Sequence, residues 1–453
     1  MWAQGAAAAW GTVERIERAR RLGLTVGRVY LGIKANQVLA RGLPRAQMRR
    51  RWQRFHRESA EDVYRTAVAL RGLVLKGCQY LGARADLLPR EWTEVLSRLQ
   101  DRVPPRDPTT IRRVVEEELG APLDAVFARF SPRPVAAASL AQVHDATLRD
   151  GTRVAVKVQD PAIAELVRSD LANLRALFRA IGLLERDLDL MPIVDELGRQ
   201  VPAELDFAAE ARNAERIAAI FAGRRDVRVP RVHHEWTRRR VLVMEFVDAP
   251  KITDLEALDA AGVDRDALMR TLVDAWCQQV LVHGFFQADP HPGNLLVEPD
   301  GASGARLVLL DFGLAKELPE SFRRDVLALL TAALRRDAHE LALVLDEMGF
   351  ATRDGSLDAL TALARASLDV LGELAAAGSL GPARTTRIGE ELAERLRRNP
   401  VVRVPSHVVL LARTLGLLSG LARSLRSRVD PLALVFPYVV GAAPPPARAD
   451  TRG

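Results

Sequence analysis

The sequence predicts an α+β protein with two lobes, a small lobe rich in strands and a larger helical lobe, preceded by a helical extension. Apolar residues recur at helical spacing over most of the first 75 positions. The segments at 143–148 and 153–158 look like two strands that flank the Asp150-Gly151 pair, which is typical of a hairpin. From about residue 250 onward nearly every segment has helical spacing again, apart from a short strand pair at 295–297 and 307–310.

These changes of pattern divide the chain of 453 residues into four predicted regions. They are an N-terminal helical extension at 1–70, a small lobe with inserted helices at 71–250, a helical lobe at 251–440, and a Pro-, Ala- and Arg-rich tail at 441–453 that is predicted to be disordered. The length is sufficient for two lobes with an extension.

The composition excludes several classes of protein. Hydrophobic residues make up 48% and charged residues 27%, which is ordinary for a globular chain. The net charge is +7, but aromatic residues are 5% and no basic run is interleaved with them, so we expect no nucleic-acid partner. Two cysteines, Cys78 and Cys277, form neither a disulfide framework nor a zinc motif, which favours a reducing, cytosolic setting.

No apolar run is long enough to predict a transmembrane segment. The best candidate, 407–421, is interrupted by Arg413. Near the N-terminus, Leu22 and Val26 belong to an apolar stripe flanked by arginines. This pattern fits a helix lying on a membrane surface, but packing on the main domain is favoured over it.

A strand with a single lysine follows a stretch of small residues. The segment VAVKVQ at 154–159 places Lys157 on a β-branched strand, from which its ammonium can reach phosphate oxygens. Across the hairpin, small side chains would let the backbone approach a nucleotide closely, and the candidates are Ala136, Ala137, Ala138 and Ser139. Alone, each segment also fits a simple structural role.

Two later motifs carry the acidic groups of a phosphoryl-transfer site. The loop QADPHPGNLL at 287–296 contains Asp289 and Asn294 five residues apart. The strand LVLLDFGLA at 307–315 delivers Asp311, which lies 22 residues after Asp289. This order is typical of protein kinases, in which the first Asp faces the acceptor and the Asn and second Asp hold Mg²⁺. The sequence therefore predicts a kinase-like site for ATP or ADP with Mg²⁺.

The adenine-binding segment of such a site is predicted between the lysine and the catalytic loop. VLVMEFVDAPKITD at 241–254 looks like a strand that runs into an extended linker. Glu245 to Val247 would offer backbone groups to adenine, and Met244 would guard the back of the pocket.

Over roughly residues 70–430 the chain resembles the UbiB/AarF family of atypical kinase-like proteins. The resemblance rests on the Ala-rich AAAS in place of glycines, on the segment from Lys76 that is similar to the family's K-x-G-Q region, and on QVPAELDFAAEARN at 200–213. It implies that Glu204 and Asp206 form the family's E-x-D, that Glu210 pairs with Lys157, and that the K-x-G-Q segment folds over the site.

Within that segment the resemblance implies that Lys76 pairs with Glu204 and that Gln79 points toward the nucleotide. One position departs from the family, because the expected glycine is Cys78. A side chain there would alter the packing if the backbone needed a positive φ. A buried apolar role for Cys78 is favoured over a reactive thiol.

By resemblance, we expect a Mg-dependent ATPase or phosphotransferase that supports ubiquinone or other isoprenoid-lipid metabolism. We expect a nucleotide as its partner, and we leave open whether it also binds an anionic membrane surface and an isoprenoid lipid. We expect a cytoplasmic protein, with peripheral attachment to the inner face of a membrane left open. Two alternatives remain: a small-molecule kinase of the aminoglycoside or choline type, and a non-catalytic nucleotide-sensing, lipid-binding scaffold.

Overall fold

The computed structural model describes residues 2–82, 88–100, 106–137, 140–185, 191–300, 304–377, 401–429, 434–435 and 437–438. The chain divides into two compact units, of which the first comprises Met1–Asn213 and Pro230–Asp248 and the second Ala214–Val229 and Ala249–Gly453. The tail predicted to be disordered, 441–453, lies outside the described residues.

Long helices open the first unit: α1 (Trp2–Leu39), α2 (Arg45–Leu70), α3 (Gly72–Gly82) and α4 (Arg90–Leu96), the last continued by a 3₁₀ turn at Ser97–Gln100. Between α2 and α3 the chain turns at Arg71 and Gly72, which both have a positive φ of 54°. Leu22 of α1 and Ala67 of α2 are buried in one apolar core with residues of α3. The helical start predicted from the sequence is confirmed, and Leu22 packs on the first unit.

An antiparallel sheet follows in the same unit. Its strands are β1 (Phe127–Phe130), β2 (Ala136–Ala137), β3 (Ala141–Leu148), β4 (Arg153–Gln159) and β6 (Val241–Glu245). The intervening strand β5 (Val227–Arg228) belongs to the second unit. The order is β1-β3-β4-β6, with β2 paired to β3. The predicted hairpin is confirmed: Gly151 takes a φ of 88°, and Asp150 Oδ1 accepts the Thr152 N–H at 2.9 Å.

Two short helices cover this sheet, α5 (Pro108–Leu119) and α6 (Leu123–Val126). Helix α5 begins after Asp107, whose side chain accepts the Thr110 N–H, and it ends at Gly120, whose φ is 66°. Its Val114 and Val115 are fully buried against the valines of β4 and β6. The strand that carries Lys157 therefore packs against a buried, valine-rich core.

Three further helices follow the sheet in the sequence: α7 (Ile163–Leu184), α8 (Met191–Glu204) and α9 (Phe207–Ile220). The last residues of α9 belong to the second unit. Ile163 and Val167 of α7 and Val194 of α8 are buried in the same core as α3. That core fixes α3 and α8 side by side, which matters for the ion pair described below.

The second unit contains small separate sheets. Its further strands are β7 (Phe285–Gln287), β8 (Leu295–Asp300), β9 (Gly304–Leu309), β10 (Ala315–Glu317), β11 (Ala351–Thr352) and β12 (Val401–Arg403). β5 runs parallel to β9, and β8, β7 and β11 pair antiparallel with β9, β10 and β12, respectively. The predicted β8–β9 pair is confirmed, and β7–β10 and β11–β12 are additions to the expected pattern.

Helices form the rest of the described second unit: α10 (Leu255–Ala260), α11 (Arg265–Cys277), α12 (Phe322–Leu334), α13 (Ala338–Glu347), α14 (Asp358–Ala377) and α15 (Ser406–Ser424). A π-helical turn at Gln278–Val282 extends α11, and 3₁₀ turns occupy His234–Trp236 of the first unit and Pro292–Asn294 of the second. No described helix is long and apolar enough to cross a membrane.

The sequence at 229–232 also predicts a strand, and these bounds are wrong. The structure has a two-residue strand at Val227–Arg228 and an isolated bridge between Val232 and Met244. Pro230 explains the difference, because proline lacks the N–H that a continuous ladder would need.

Candidate functional site

Strand β4 presents Lys157 to a buried carboxylate. Lys157 Nζ lies 2.7 Å from Glu210 Oε1 and 2.9 Å from Oε2. The Glu210 side chain is 2% exposed and that of Lys157 is 21% exposed. Nζ also lies 5.1 Å from the centre of the Phe207 ring. Both carboxylate oxygens face one ammonium, which fixes the direction in which the lysine extends.

The start of helix α9 sets the position of Glu210. Asp206 Oδ1 accepts the Ala209 N–H at 3.0 Å, and the Asp206 carbonyl accepts the Glu210 N–H at 3.0 Å. Phe207 N–H donates to the Arg239 carbonyl at 3.0 Å. Asp206 thus caps the helix that carries Glu210, a structural contribution that the E-x-D resemblance did not specify.

Helices α3 and α8 are joined by the ion pair that the family resemblance implied. Lys76 Nζ lies 2.6 Å from Glu204 Oε2, with side chains 29% and 14% exposed. On the same helix, the Gln79 amide donates to the Leu99 carbonyl at 2.8 Å. This local contact uses an amide proton of Gln79. That the Gln79 side chain points toward a nucleotide stays a prediction.

Cys78 occupies an ordinary helical position. It lies inside α3, and the described non-glycine residues with positive φ are Arg71, Arg336 and Arg426. The side chain is 7% exposed in the core shared by α3 and α8, and burial raises the pKa of its thiol to about 12. The departure from the family's glycine therefore needs no special backbone conformation, and the thiol is a buried apolar group.

The small-residue segment is described in part. Ala136 and Ala137 form β2, opposite Val143 and Gln142 of β3. Ala138 and Ser139 lie outside the described residues. The described half of the segment is therefore an edge strand at the hairpin that carries Lys157.

The predicted adenine segment begins at the end of β6. Met244 is 7% exposed and pairs with Ala155, two residues before Lys157. Glu245 pairs with Val154, and its N–H donates to the Arg231 carbonyl at 2.8 Å. Val247 follows the strand in a stretch without regular secondary structure. Met244 is thus buried on the strand next to the lysine strand.

In the second unit, the two predicted metal ligands lie at the same end of the β8–β9 pair. Asn294 precedes β8 and Asp311 follows β9, where Leu295 and Leu309 are register partners. The Leu310 N–H donates to the Asn294 carbonyl at 3.0 Å, which extends the ladder to the residue before Asp311. Antiparallel pairing therefore brings the two side chains to one edge.

This donor set fits Mg²⁺ with a nucleotide. Mg²⁺ is usually held by one or two protein oxygens together with phosphate oxygens and water, and an Asn amide with an Asp carboxylate supplies two. Asp311 Oδ1 also accepts the Gly313 N–H at 3.0 Å, which orients the carboxylate. Within the described residues no group of three or more His, Cys, Asp or Glu side chains is arranged as a metal site. A metal at Asn294 and Asp311 would therefore depend on ligands from the nucleotide.

The loop that carries Asp289 is tied to the Asp-Phe-Gly segment. The Ala288 N–H donates to the Leu314 carbonyl at 2.8 Å, and the Gln287 amide donates to the Asp311 carbonyl. Phe312 is fully buried. The segment just before Asp289 is thus held against the strand that delivers Asp311. Lys157 and Glu210 lie in the first unit, and Asp289, Asn294 and Asp311 lie in the second.

A family model matches the part of the chain that contains most of these residues. Residues 98–345, more than half of the chain, match the model of the ABC1 atypical kinase-like domain. The chain belongs to this family. The resemblance to UbiB/AarF proteins drawn from the sequence is confirmed, since relatives in the same group carry the AarF name.

Two relatives illustrate the range of the ABC1 family. The chain is 34% identical over 395 residues to Protein ACTIVITY OF BC1 COMPLEX KINASE 8, chloroplastic, of Arabidopsis thaliana, covering 80% of this chain and 51% of the relative. It is 38% identical over 283 residues to AarF domain-containing protein kinase 1 of Gallus gallus, covering 62% and 54%. The chain spans about half the length of these two curated relatives.

A solved structure shows the fold. The complex of Rv3197 with erythromycin from Mycobacterium tuberculosis matches 86% of this chain and 97% of its own, with a TM-score of 0.56 and 22% sequence identity. The predicted α+β, protein-kinase-like fold class is confirmed.

The structure adds site neighbours that the sequence motifs did not reveal. Arg413 of α15 lies 3.0 Å from Asp289, although it is outside the range matched by the ABC1 family model. Gln287 is 1% exposed and contacts the backbone of Asp311. The signal for Arg413 was its presence as the charge that interrupts the apolar run at 407–421.

Proposed function

We propose that this ABC1-family chain binds ATP or ADP with Mg²⁺ and hydrolyses ATP or transfers its terminal phosphoryl group. The observation that carries the proposal is the Lys157–Glu210 ion pair, with both carboxylate oxygens within 2.9 Å of Nζ. A buried glutamate that orients a strand lysine is the arrangement with which kinase-like proteins direct an ammonium at phosphate oxygens.

Each site residue has a proposed role in that chemistry. Lys157 contacts the phosphates, and Glu210 orients Lys157. Asn294 and Asp311 hold the metal, and Asp289 orients the nucleophile, either a substrate hydroxyl or water. Bound Mg²⁺ would add to the charge of Lys157 and neutralise more of the phosphate charge during transfer.

The remaining predicted contacts concern nucleotide recognition and access. Backbone groups of Glu245 to Val247 would meet adenine, with Met244 behind it, and the small-residue segment from Ala136 to Ser139 would lie near the phosphates. Lys76, Gln79, Glu204 and Asp206 would control access. Support for the last role is the Lys76–Glu204 pair, which ties the K-x-G-Q-like helix to α8.

We further propose that the activity supports ubiquinone or another isoprenoid-lipid pathway at an anionic membrane surface. Leu24, Leu31 and Val38 recur every seven residues on one face of α1 and are 47%, 66% and 63% exposed. Arg28 and Arg41 are exposed on the same helix or just after it. An apolar stripe with basic neighbours supports peripheral attachment.

Magnesium-dependent phosphate release from ATP tests the enzymatic proposal. We expect the purified chain to release phosphate, and Lys157→Met and Asp311→Asn to abolish release. The matched control is Asp369→Asn, which makes the same chemical change at an exposed position of α14 and should leave release unchanged.

Two further measurements separate the remaining possibilities. Stimulation by anionic liposomes, reduced in Leu31→Glu, would support the membrane role, whereas equal rates with neutral and anionic liposomes would contradict it. In a third outcome, Mg-ADP raises the melting temperature of the wild type, but the wild type releases no more phosphate than Asp311→Asn does. This would contradict the enzymatic proposal and favour a nucleotide-sensing scaffold.

A further inference from the structure

Helix α15 places a guanidinium next to Asp289. Arg413 Nη2 lies 3.0 Å from Asp289 Oδ1, and the two side chains are 20% and 26% exposed. Both residues belong to the second unit. Guanidinium is permanently charged and can only donate hydrogen bonds, so at this distance it attracts the ionised carboxylate.

The contact is an ion pair without a hydrogen bond. Asp289 Oδ1 is buried, and none of the described N–H or O–H groups is aligned to donate to it, the Arg413 N–H groups included. A buried carboxylate oxygen without a donor is costly and seldom retained without a reason. The Arg413 charge is therefore the interaction that holds this buried oxygen in place.

A second contact fixes the helix to the loop. Thr414 is 2% exposed, and its Oγ1 lies 3.1 Å from the Ala288 carbonyl and 2.9 Å from the Leu410 carbonyl. Consecutive residues of α15 therefore meet consecutive residues of the loop, Thr414 at Ala288 and Arg413 at Asp289. Because Thr414 is packed against the loop backbone, the base of the Arg413 side chain has a fixed position relative to Asp289.

We propose that Arg413 is a positioning residue for Asp289. Its charge holds the buried Oδ1 in place, which orients the exposed remainder of the Asp289 side chain for the hydroxyl or water that attacks the terminal phosphoryl group. This inference rests on the proposed function, in which Asp289 orients the nucleophile. It assigns the orientation of Asp289 to helix α15, which lies outside the segment that the ABC1 family model matches.

The test compares Arg413→Met, Arg413→Lys and the control Arg423→Met in phosphate release from Mg-ATP. Arg423 is an exposed arginine of the same helix. We expect Arg413→Met to lower kcat by roughly 10- to 100-fold, the scale of a misplaced catalytic group, with the KM for ATP unchanged. Arg413→Lys should recover part of kcat, because it restores a positive charge near Asp289. Arg423→Met should match the wild type.

A double-mutant cycle separates positioning from a general packing role. In an Asp289→Asn background, Arg413→Met should cause no further loss of kcat, since the carboxylate that it positions is absent. A further loss of similar size in that background would overturn the inference. Retained stabilisation by Mg-ADP verifies that each variant is folded and binds nucleotide, and Arg413→Lys serves if Arg413→Met fails to fold.

The outcomes distinguish this inference from the function on which it rests. If the wild type releases phosphate, Asp311→Asn abolishes the release and Arg413→Met keeps its kcat, then only the role of Arg413 is overturned. No release by the wild type would overturn both.

Discussion

Lys76 and Glu204, 128 positions apart in the sequence, form an ion pair of 2.6 Å between helices α3 and α8. The pair is more protected than most surface pairs, since Glu204 is 14% exposed. Around it, Val194 and Val201 of α8 are buried in the same core as Leu73 of α3. The charges are therefore held close by packing, which reduces the entropy that an exposed pair would lose.

Neutralising either partner should destabilise the first unit. We expect Lys76→Met or Glu204→Gln to lower the free energy of unfolding by about 1–3 kcal/mol, because one charge would remain without its partner in a partly buried site. Urea unfolding followed by circular dichroism measures this. Exchanging the two residues, Lys76→Glu with Glu204→Lys, should recover part of the loss.

The exposed Arg65–Asp62 pair of α2 provides the control for that prediction. Its side chains are 72% and 35% exposed, so Arg65→Met should cost less than about 1 kcal/mol. Equal losses at both pairs would mean that the Lys76–Glu204 pair behaves as an ordinary surface contact.

Both cysteines should be inert in the folded protein. Burial raises the pKa of Cys78 and of Cys277 to about 12, with Asp274 contributing at Cys277. Because the thiolate is the reactive form, we expect no reaction with a thiol reagent at pH 8 until denaturant is added, and then two thiols per chain. Rapid modification of native protein would contradict the buried, apolar role of Cys78.

Local patterns explain which parts of the fold could be predicted. The β3–β4 hairpin was predictable because the Asp150-Gly151 pair lies in the short connection between the two strands and favours a tight turn there. The catalytic-loop and Asp-Phe-Gly motifs were predictable because their residues have fixed spacing along the chain. β7 and β10 were missed because each has three residues, too few to show a periodicity.

Contacts between distant residues explain what the sequence did not predict. Arg413 meets Asp289 across 124 positions, and a lone arginine in an apolar helix has no motif that names its partner. The Lys76–Glu204 pair spans 128 positions, but it could be expected from the family resemblance. The chain alone thus predicts elements and local motifs, whereas long-range partners need either a relative or a structure.

A buried histidine should make stability depend on pH. His144 is fully buried, and its pKa is lowered from 6.5 by burial. Its Nδ1 lies 2.7 Å from the Ser131 carbonyl, which can only accept, so Nδ1 carries the proton. Its Nε2 then accepts a hydrogen bond from Gln142 Nε2 at 2.7 Å. The Arg106 backbone N–H donates to Gln142 Oε1 and thereby orients this amide. The network therefore requires a neutral ring.

The sign of the pH effect follows from that lowered pKa. As pH falls below about 6.5, the unfolded chain binds a proton at His144 before the folded chain does, so stability decreases. One such group contributes up to about 1.4 kcal/mol per pH unit. We expect His144→Phe to flatten the dependence of the unfolding free energy between pH 5 and 7, measured by urea unfolding. Some slope should remain, since burial also lowers the pKa of His56, His283 and His407. An unaltered slope would contradict the neutral network.

The attachment of α1 to α7 should depend on a buried charge pair. Arg18 donates to Asp170 through Nε at 3.1 Å and Nη2 at 2.5 Å, and Nη1 donates to the Leu70 carbonyl at 2.5 Å. The two side chains are 7% and 2% exposed. Asp170→Asn should lower the unfolding free energy by about 3–5 kcal/mol, because Arg18 would be left buried without a counter-charge.

A matched pair and a double replacement show where that cost arises. Arg15 and Glu165 join the same two helices but are 52% and 59% exposed, so Arg15→Met should cost less than about 1 kcal/mol. Replacing both buried partners, Arg18→Met with Asp170→Leu, should be much less harmful than Asp170→Asn alone, since no unpaired charge is left. If the double replacement is as damaging as the single one, the guanidinium contact with the Leu70 carbonyl at the end of α2, rather than charge pairing, holds the helices together.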